Sequence, residues 1–297
     1  MTDVEQMRGQ IDSGAGFIAA LDQSGGSTPK ALGLYGVEPS DYSGDEEMFR
    51  AMHDMRARII LAEHFTNAKV IGAILFERTM RDTINGSPVA QLLWQERGVV
   101  PFLKIDKGLE EQANGVQLMK PMPGLEDVLA EARSKGIFGT KERSVIHNAN
   151  ETGVKDIVAQ QFEVGAQVTA AGLVPILEPE VNIHSETKAQ AEALLVAEIS
   201  NQLDGLADGI DVMLKLTLPS KAGLYDALAQ HPRVLQVVAL SGGYSTDEAS
   251  AKLALNSRMI ASFSRALTEG LNVSMSDAEF NAALGTNIDK IYRASVA

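Results

Sequence analysis

Cysteine is absent from the 297 residues, and none of the apolar segments is long. Without a thiol, the chain has neither a disulfide framework nor a thiolate that could act as a nucleophile or a zinc ligand. The longest apolar runs are shorter than ten residues, whereas a membrane-spanning helix needs about 20. Residues 1–12 lack the basic and apolar regions of a secretory signal. These absences predict a cytoplasmic protein.

Positive charge is also scarce, with 26 lysines and arginines against 39 aspartates and glutamates and a net charge of −13. Such a surface repels the phosphates of nucleic acids and of anionic membranes, so neither is expected as a partner. The five histidines are scattered without the spacing of a metal motif, and we expect no metal. Several lysines and arginines nevertheless follow apolar segments, which favours a small anionic ligand in a local basic pocket.

Seven apolar segments of strand length end in a polar or ionisable residue, and a weaker eighth, 137–141, follows the third of them. Helical stretches separate these segments. The alternation predicts a single (β/α)8 barrel, an α/β fold that occupies residues 1–297 as one catalytic domain after a lead-in helix at 2–13. Catalytic groups of such barrels lie at the carboxyl ends of the strands. The seven stronger segments are 16–22, 70–77, 99–104, 173–178, 212–215, 234–241 and 259–265.

Lys215 is the most unusual strand-end residue, because it ends the strongly apolar segment 212–215. A charged lysine is costly to bury. Desolvation and a neighbouring cation both favour the neutral amine, which is a nucleophile. Lys141, at the end of another strand, is a candidate for that cation. A lysine at a strand end also commonly snorkels to solvent or pairs with a carboxylate, so this residue alone leaves both interpretations open.

Three carboxylates also stand at strand ends. Glu178 and Glu180 flank a proline after the fourth strong segment and fit a general acid with a partner that orients lysines. Ordinary salt bridges explain the same pattern. Asp22 ends the first segment, either as a turn former or as a group that binds a substrate hydroxyl.

Two glycine-rich turns fit phosphate groups. Ser241-Gly242-Gly243 follows the seventh predicted strand and Arg265 ends the eighth, where barrels of this type frequently bind phosphate. Ser24 and Ser27 flank a second glycine pair after the first strand, with Lys30 and Lys104 as supporting cations. Two such turns on one rim predict a ligand with two phosphates. Together with the lysines and carboxylates, they indicate covalent amine chemistry on a phosphorylated carbonyl compound.

The motifs GFIAALDQSGGSTPKAL, IGAILFE, GVVPFLKIDKG, GIFGTKERS, VPILEPEVNI, VMLKLTLP, VVALSGGYS and IASFSRAL occur in this order between about residues 14 and 268. They resemble the class I (Schiff-base) fructose-1,6-bisphosphate aldolases, most closely the shorter bacterial branch. The resemblance implies an eightfold barrel and a glycolytic and gluconeogenic lyase. It also implies reversible cleavage of fructose 1,6-bisphosphate to dihydroxyacetone phosphate and glyceraldehyde 3-phosphate, with no metal or organic cofactor.

Carried over motif by motif, the resemblance implies that Lys215 forms the Schiff base, Glu178 is the acid-base group and Asp22 holds the C4 hydroxyl. Lys141 and Arg143 would flank the reacting centre. The remaining implied roles are Glu180 behind Glu178, the C1-phosphate site at Ser241, Gly242, Ser262 and Arg265, the C6-phosphate site at Ser24, Ser27 and Lys104, and Lys30 as a match to a basic residue of the family.

The sequence departs from the animal enzymes of this family at two points. Ala31 stands where they have a second basic residue, and their C-terminal tyrosine tail, which helps proton transfer at C3, has no counterpart before Ala297. Tagatose bisphosphate stays open as a substrate, because stereochemistry at C4 is not encoded in these motifs. A deoxyribose-phosphate aldolase and a non-catalytic sugar-phosphate-binding protein are rival interpretations of the same chain. A homo-oligomer is compatible with each of these functions.

Overall fold

The computed structural model describes residues 2–13 and 15–297. Eight parallel strands form a nearly closed barrel, in which each strand pairs with the next one along the chain. This confirms the predicted (β/α)8 barrel. The strands are β1 Phe17–Leu21, β2 Val70–Leu75, β3 Val100–Lys104, β4 Gly139–Ile146, β5 Val174–Val181, β6 Val212–Thr217, β7 Val234–Leu240 and β8 Ile260–Ala261. Val116–Gln117 pairs antiparallel with β4, and Thr83–Ile84 forms a small hairpin with Ser87–Pro88.

Helices occupy the connections between the strands. They are α1 Asp3–Ser13, α2 Thr28–Leu34, α3 Gly44–Leu61, α4 Glu77–Arg81, α5 Leu125–Ser134, α6 Glu151–Ala170, α7 Lys188–Asp204, α8 Asp226–Ala229, α9 Thr246–Leu253, α10 Arg265–Thr268 and α11 Asp277–Ser295. A helical turn at Val89–Gln91 continues into a π-helix at Leu92–Glu96, and short 3-10 turns occupy Gly25–Ser27 and Pro39–Asp41. Among the helices of the described residues, none has the length and hydropathy needed to cross a bilayer.

Strands β4 and β8 differ most in length from the segments predicted for them. β8 is only Ile260–Ala261, and Arg265, expected at its end, begins α10. β4 has the weakest sequence signal, yet it is one of the longest strands, so Arg143 lies within it. Its interior is mostly polar, so it offers no apolar run to recognise. Gly139 explains how β4 fits, because a Cβ there would lie 2.1 Å from the Val174 carbonyl oxygen.

The interior of the barrel is filled in layers. Phe102, Ile176 and Met213 belong to an apolar cluster that also contains Met7 and Ile11 of α1. Helix α1 is fixed at the amino ends of the strands, where Gln10 Nε2 donates to the carbonyls of Ile71 and Gly98 at 2.8 and 2.7 Å.

Strand periodicity then determines what lies above this apolar layer. Side chains alternate along a strand, so the next inward position is two residues further on. In β3, β5 and β6 these positions hold Lys104, Glu178 and Lys215. A dry apolar layer therefore supports a charged layer at the carboxyl end of the barrel.

Candidate active site

The carboxyl ends of the strands surround a cavity of about 780 Å³. Most of the predicted site residues line this cavity together. They come from seven of the eight strands and the loops that follow them, and only Lys30 and Arg265 lie outside the lining. Those in the lining are Asp22, Ser24, Ser27, Lys104, Lys141, Arg143, Glu178, Glu180, Lys215, Ser241, Gly242 and Ser262.

Lys215, Glu178 and Lys141 form the floor of the cavity and are 4%, 4% and 2% exposed. Lys215 Nζ lies 3.1 Å from Glu178 Oε1, and Lys141 Nζ lies 2.9 Å from Glu178 Oε2. Burial alone would raise the pKa of Glu178, but the ammonium groups of Lys141 and Lys215 outweigh it and lower the pKa below its usual range. Glu178 is therefore a carboxylate in the resting site and forms ion pairs with both lysines.

Asp22 belongs to the same charge network. Its Oδ2 lies 2.7 Å from Lys141 Nζ. Burial acts to raise the pKa of Asp22, but Lys141 and Lys215 reverse this and hold it well below the ordinary value. For Lys141, burial opposes the charged form, yet Asp22 and Glu178 raise its pKa above the usual range. Lys141 is thus a cation between two carboxylates that are ionised in the resting site, so for Lys141 itself a positioning role fits better than proton transfer.

Asp106 is a central residue that sequence reasoning missed. It is 7% exposed and accepts from Lys104 Nζ at 2.7 Å through Oδ1. Its Oδ2 accepts from the backbone N–H of Arg143 at 3.3 Å and lies 3.9 Å from Lys141 Nζ. A signal exists in the sequence, because Asp106 follows Lys104 by two residues immediately after a strand. Asp106 therefore orients Lys104 and adds negative charge beside Lys141.

The Arg143–Glu180 pair forms the outer side of the site. Arg143 Nε donates to Glu180 Oε2 at 2.5 Å. Burial lowers the pKa of Arg143, but Glu180 and the other nearby carboxylates raise it more. The Arg143 side chain is 40% exposed and the Glu180 side chain 15%, so this pair can open to meet a ligand at modest cost.

The two predicted phosphate turns lie on this rim. Ser24 and Ser27 are tied together, because Ser24 N donates to Ser27 Oγ at 3.0 Å and Ser27 Oγ donates to the Ser24 carbonyl at 2.9 Å. Gly242 has φ +60°, and a Cβ there would lie 2.8 Å from Ile183 Cγ2, so glycine is required. Buried Ser262 lines the cavity, and its Oγ has no hydrogen-bond partner among the residues that the structure describes.

Two predicted binding residues lie elsewhere. Arg265 is exposed and lines a neighbouring cavity of about 260 Å³, which shares Ser241 with the main one. Its Nη2 donates to the Tyr244 carbonyl at 3.4 Å. Lys30 is exposed on α2. Phosphate binding by Arg265 and Lys30 stays a prediction.

A buried polar cluster supports the floor from behind. Gln161 of α6 donates through Nε2 to the Glu142 carbonyl at 3.2 Å and to Ser144 Oγ at 2.7 Å. Its Oε1 accepts from the Glu178 backbone N–H at 3.2 Å. One side chain thus ties β4 to β5 at the level of Glu178. Burial raises the pKa of Glu142 well above its ordinary value and so favours the neutral carboxyl. The sequence patterns single out neither Gln161 nor Glu142.

Fold and site together are those of an α/β-barrel enzyme equipped for covalent amine chemistry. A buried amine contacts an ionised carboxylate at the bottom of a pocket with two serine-glycine turns on its rim. Such an amine reacts with a ketone or aldehyde to form an imine.

The comparisons with known proteins identify the family. A family model described as glycolytic, fructose-bisphosphate aldolase class-I, matches residues 5–203. The class 1 fructose-bisphosphate aldolase of Synechocystis sp. is 55% identical over 98% of this chain and 97% of its own length. That of Porphyromonas gingivalis is 54% identical over 98% of this chain and 99% of its own. The chain therefore belongs to the class I fructose-bisphosphate aldolases, as its motifs predicted.

The fold is shared with a more distant protein. The fructose-bisphosphate aldolase of Plasmodium falciparum, solved in complex with TRAP and a small-molecule inhibitor, superposes with a TM-score of 0.77. It is 19% identical to this chain, and the match covers 99% of this chain and 95% of that one. At this identity the likeness supports the barrel architecture alone.

Proposed function

We propose that the protein reversibly cleaves D-fructose 1,6-bisphosphate to dihydroxyacetone phosphate and glyceraldehyde 3-phosphate through an imine on Lys215. One observation carries the proposal. Lys215 Nζ lies 3.1 Å from Glu178 Oε1 on the floor of a cavity whose rim holds both phosphate turns. A lysine that merely snorkelled would reach solvent, whereas this one is 4% exposed.

Imine formation follows from the Lys215–Glu178 contact. Glu178 takes a proton from the Lys215 ammonium, and the free amine adds to the C2 ketone. Proton transfer from nitrogen to oxygen gives a neutral carbinolamine. Glu178 then returns its proton to the C2 hydroxyl, which leaves as water, and the ammonium charge has become an iminium charge. The net charge of the floor is unchanged, so the low-dielectric site does not have to stabilise a new ion.

Carbon–carbon cleavage follows from the placement of Asp22. Its carboxylate accepts the proton of the C4 hydroxyl while the C3–C4 bond breaks and its electron pair moves toward the iminium. Glyceraldehyde 3-phosphate leaves, and the resulting enamine is protonated at C3. Hydrolysis then releases dihydroxyacetone phosphate and the free amine. Lys141 forms ion pairs with both Asp22 and Glu178 and so fixes the distance between the two proton-transfer groups.

Tyr292 does not take part in the C3 proton transfer. Its ring lies 5.9 Å from Lys69 Nζ, and Lys69 precedes β2 at the amino end of the barrel. The cavity is at the opposite end, and tyrosine is not part of its lining. We therefore infer that the C3 proton passes through a group on the cavity floor or through water.

The function is tested by incubating the protein with fructose 1,6-bisphosphate and coupling product formation to a triose-phosphate assay. Turnover should persist in excess EDTA, because the lysine supplies the electrophilic catalysis. Tagatose 1,6-bisphosphate and deoxyribose 5-phosphate are run in parallel. Activity that disappears in EDTA and returns with zinc would overturn the proposed chemistry. Faster cleavage of either parallel substrate would overturn the proposed substrate.

Replacing Lys104 by alanine should separate the two phosphate sites. We assign Ser24, Ser27 and Lys104 to the C6 phosphate, so bisphosphate kcat/KM should fall about 10- to 150-fold, since a charge-assisted hydrogen bond contributes roughly 1.5–3 kcal/mol. Fructose 1-phosphate lacks that phosphate, and its kcat/KM should barely change.

The matched control is Ser262→Ala, on the side assigned to the C1 phosphate, which should lower kcat/KM for both substrates. Both values are measured for both variants. If Lys104→Ala lowers kcat/KM equally for fructose 1,6-bisphosphate and fructose 1-phosphate, the assignment of the two phosphate sites is withdrawn.

We further propose that residues 1–297 act as one catalytic domain in the cytoplasm. Support comes from the barrel, to which strands from Phe17 to Ala261 contribute, and from the net charge of −13. That charge disfavours nucleic-acid and membrane partners. The lysines and arginines collected in the cavity favour a small anion, such as a free sugar bisphosphate, as the ligand.

A further inference from the structure

Arg56 of α3 is a buried guanidinium at the edge of the proposed active site, only 2% exposed. Its Nη1 donates to Thr79 Oγ1 at 2.8 Å, and its Nη2 donates to the backbone carbonyl of Gln23 at 2.5 Å. In the described part of the chain, no carboxylate lies within 4.0 Å of it. A buried cation without a paired anion is costly, and its position beside the Asp22–Ser27 segment calls for an explanation.

The electrostatic partner of Arg56 is Asp22. Burial lowers the pKa of Arg56 to about 10, and the Asp22 carboxylate opposes this lowering. Arg56 therefore remains charged at neutral pH. It contributes positive potential next to Asp22 from the helix side, while Lys141 contacts Asp22 from inside the barrel.

Gln23 extends this contact across the seam of the barrel. Among residues 2–13 and 15–297, no backbone ladder joins β8 to β1. Gln23 bridges the gap above the strands, because its Nε2 donates to Ser264 Oγ at 2.6 Å. Its Oε1 lies 3.5 Å from Arg56 Nη2. The Arg56 guanidinium thus holds Gln23, which connects the Ser24–Ser27 turn to the loop after β8.

We propose that Arg56 is a positioning residue for the cleavage step. By fixing the Gln23 peptide it sets the direction of the Asp22 carboxylate on one side and of the Ser24–Ser27 turn on the other. Through Gln23 it keeps both in register with Ser262 and Ser264. The inference rests on the proposed function of Asp22, and it adds a residue from the outer helix layer to the machinery of the reaction.

The geometry explains why an arginine is present. Two nitrogens of one planar guanidinium donate to two separate acceptors, the Thr79 hydroxyl and the Gln23 carbonyl. A lysine at this position would retain the positive charge, but its single nitrogen lacks the forked pair of donors. Arg56→Lys should therefore recover part of what Arg56→Met loses, which a purely steric role would not predict.

The test is a double-mutant cycle between Arg56→Met and Asp22→Asn. In the wild-type background, Arg56→Met should lower kcat for fructose 1,6-bisphosphate about 10- to 100-fold, because displacements near 1 Å cost up to about 10²-fold. In the Asp22→Asn background the same change should cost less than about 3-fold, since the carboxylate it positions is absent. Arg56→Lys should lie between Arg56→Met and wild type.

Arg58→Met is the matched control. Arg58 lies on the same helix and also donates to distant groups, the Tyr35 hydroxyl and the Met275 carbonyl. Neither of these partners lines the cavity, whereas Gln23, the partner of Arg56, does. Its kcat should stay within about 3-fold of wild type. Borohydride trapping of dihydroxyacetone phosphate on Lys215 should persist in Arg56→Met, because Lys215 and Glu178 do not contact Arg56.

The outcomes separate the inference from the proposed function. If wild-type protein fails to trap dihydroxyacetone phosphate, the proposed function fails. The positioning role is overturned by either of two results in a wild type that does trap dihydroxyacetone phosphate. One is that kcat of Arg56→Met equals that of Arg58→Met. The other is that the kcat losses of Arg56→Met and Asp22→Asn multiply in the double variant, as independent effects do. Should Arg56→Met not fold, Arg56→Lys and Gln23→Leu are each combined with Asp22→Asn in the same kind of cycle. Independent effects on kcat in these cycles overturn the proposal as well.

Discussion

Replacement of Lys215 by methionine should lower kcat/KM for fructose 1,6-bisphosphate by at least about 10⁴-fold, the order of loss expected when a covalent nucleophile is removed. Methionine keeps the length and packing of the side chain, and it is the residue already present two positions earlier in β6. Glu178 retains its contact with Lys141 at 2.9 Å, so no buried charge is orphaned and the fold should survive. The measurement is steady-state cleavage with melting temperature recorded alongside.

Lys107→Met is the control for this substitution. Lys107 lines the same cavity but pairs with Glu77 at 2.5 Å and is 42% exposed. Its removal should change kcat/KM by no more than a few-fold, because exposed ion pairs contribute about 0–1 kcal/mol. Cleavage by Lys215→Met at more than about a hundredth of the wild-type rate would mean that the imine forms on another amine or not at all.

Glu178→Gln should be the second most damaging change. General acid-base groups contribute about 10²- to 10⁴-fold, and the amide can neither take the proton of Lys215 nor deliver it to the leaving hydroxyl. Glutamine preserves the shape of the side chain and one acceptor for Lys141. The loss should therefore fall on kcat, with KM for the bisphosphate changed only a few-fold, and imine formation measured in a stopped-flow experiment should become the slow step.

Glu180→Gln provides the comparison, because Glu180 pairs with Arg143 and does not contact Lys215. It should cost roughly tenfold or less, as expected for an interaction that orients a ligand. If Glu180→Gln proved the more damaging of the two, the acid-base role would belong to Glu180 and the carbinolamine would have to lie further out in the cavity.

Much of the site could be predicted from the sequence, because catalytic groups of (β/α)8 barrels lie at the carboxyl ends of the strands. Asp22, Lys104 and Lys215 are visible in the sequence because each ends an apolar segment, and a parallel barrel gathers such ends at one mouth. The length of β4 is not visible, because its inward positions hold glycine, Lys141 and Arg143. Those positions gain their burial from neighbouring strands, which hydrophobic patterning does not encode.

Residues that act from outside the barrel escape prediction for a different reason. Arg56 follows Met52 by four positions and so falls on the helix face of Met48, Met52, Met55 and Ile59, which is the buried face of α3. That pattern indicates a buried arginine but not its partner, since the Gln23 carbonyl is 33 residues away. Gln161 is similar, because its three hydrogen bonds reach two different strands. Long-range hydrogen bonds of this kind follow from packing and leave no periodic signal.

Covalent trapping shows whether an imine forms and which lysine carries it. The protein is incubated with fructose 1,6-bisphosphate or dihydroxyacetone phosphate, reduced with borohydride, digested, and the modified peptide is sequenced by mass spectrometry. We expect one reduced triose-phosphate adduct, carried by Lys215, and no adduct in Lys215→Met. An adduct on Lys141 or Lys104 instead, or an active enzyme that borohydride neither labels nor inactivates, would contradict it.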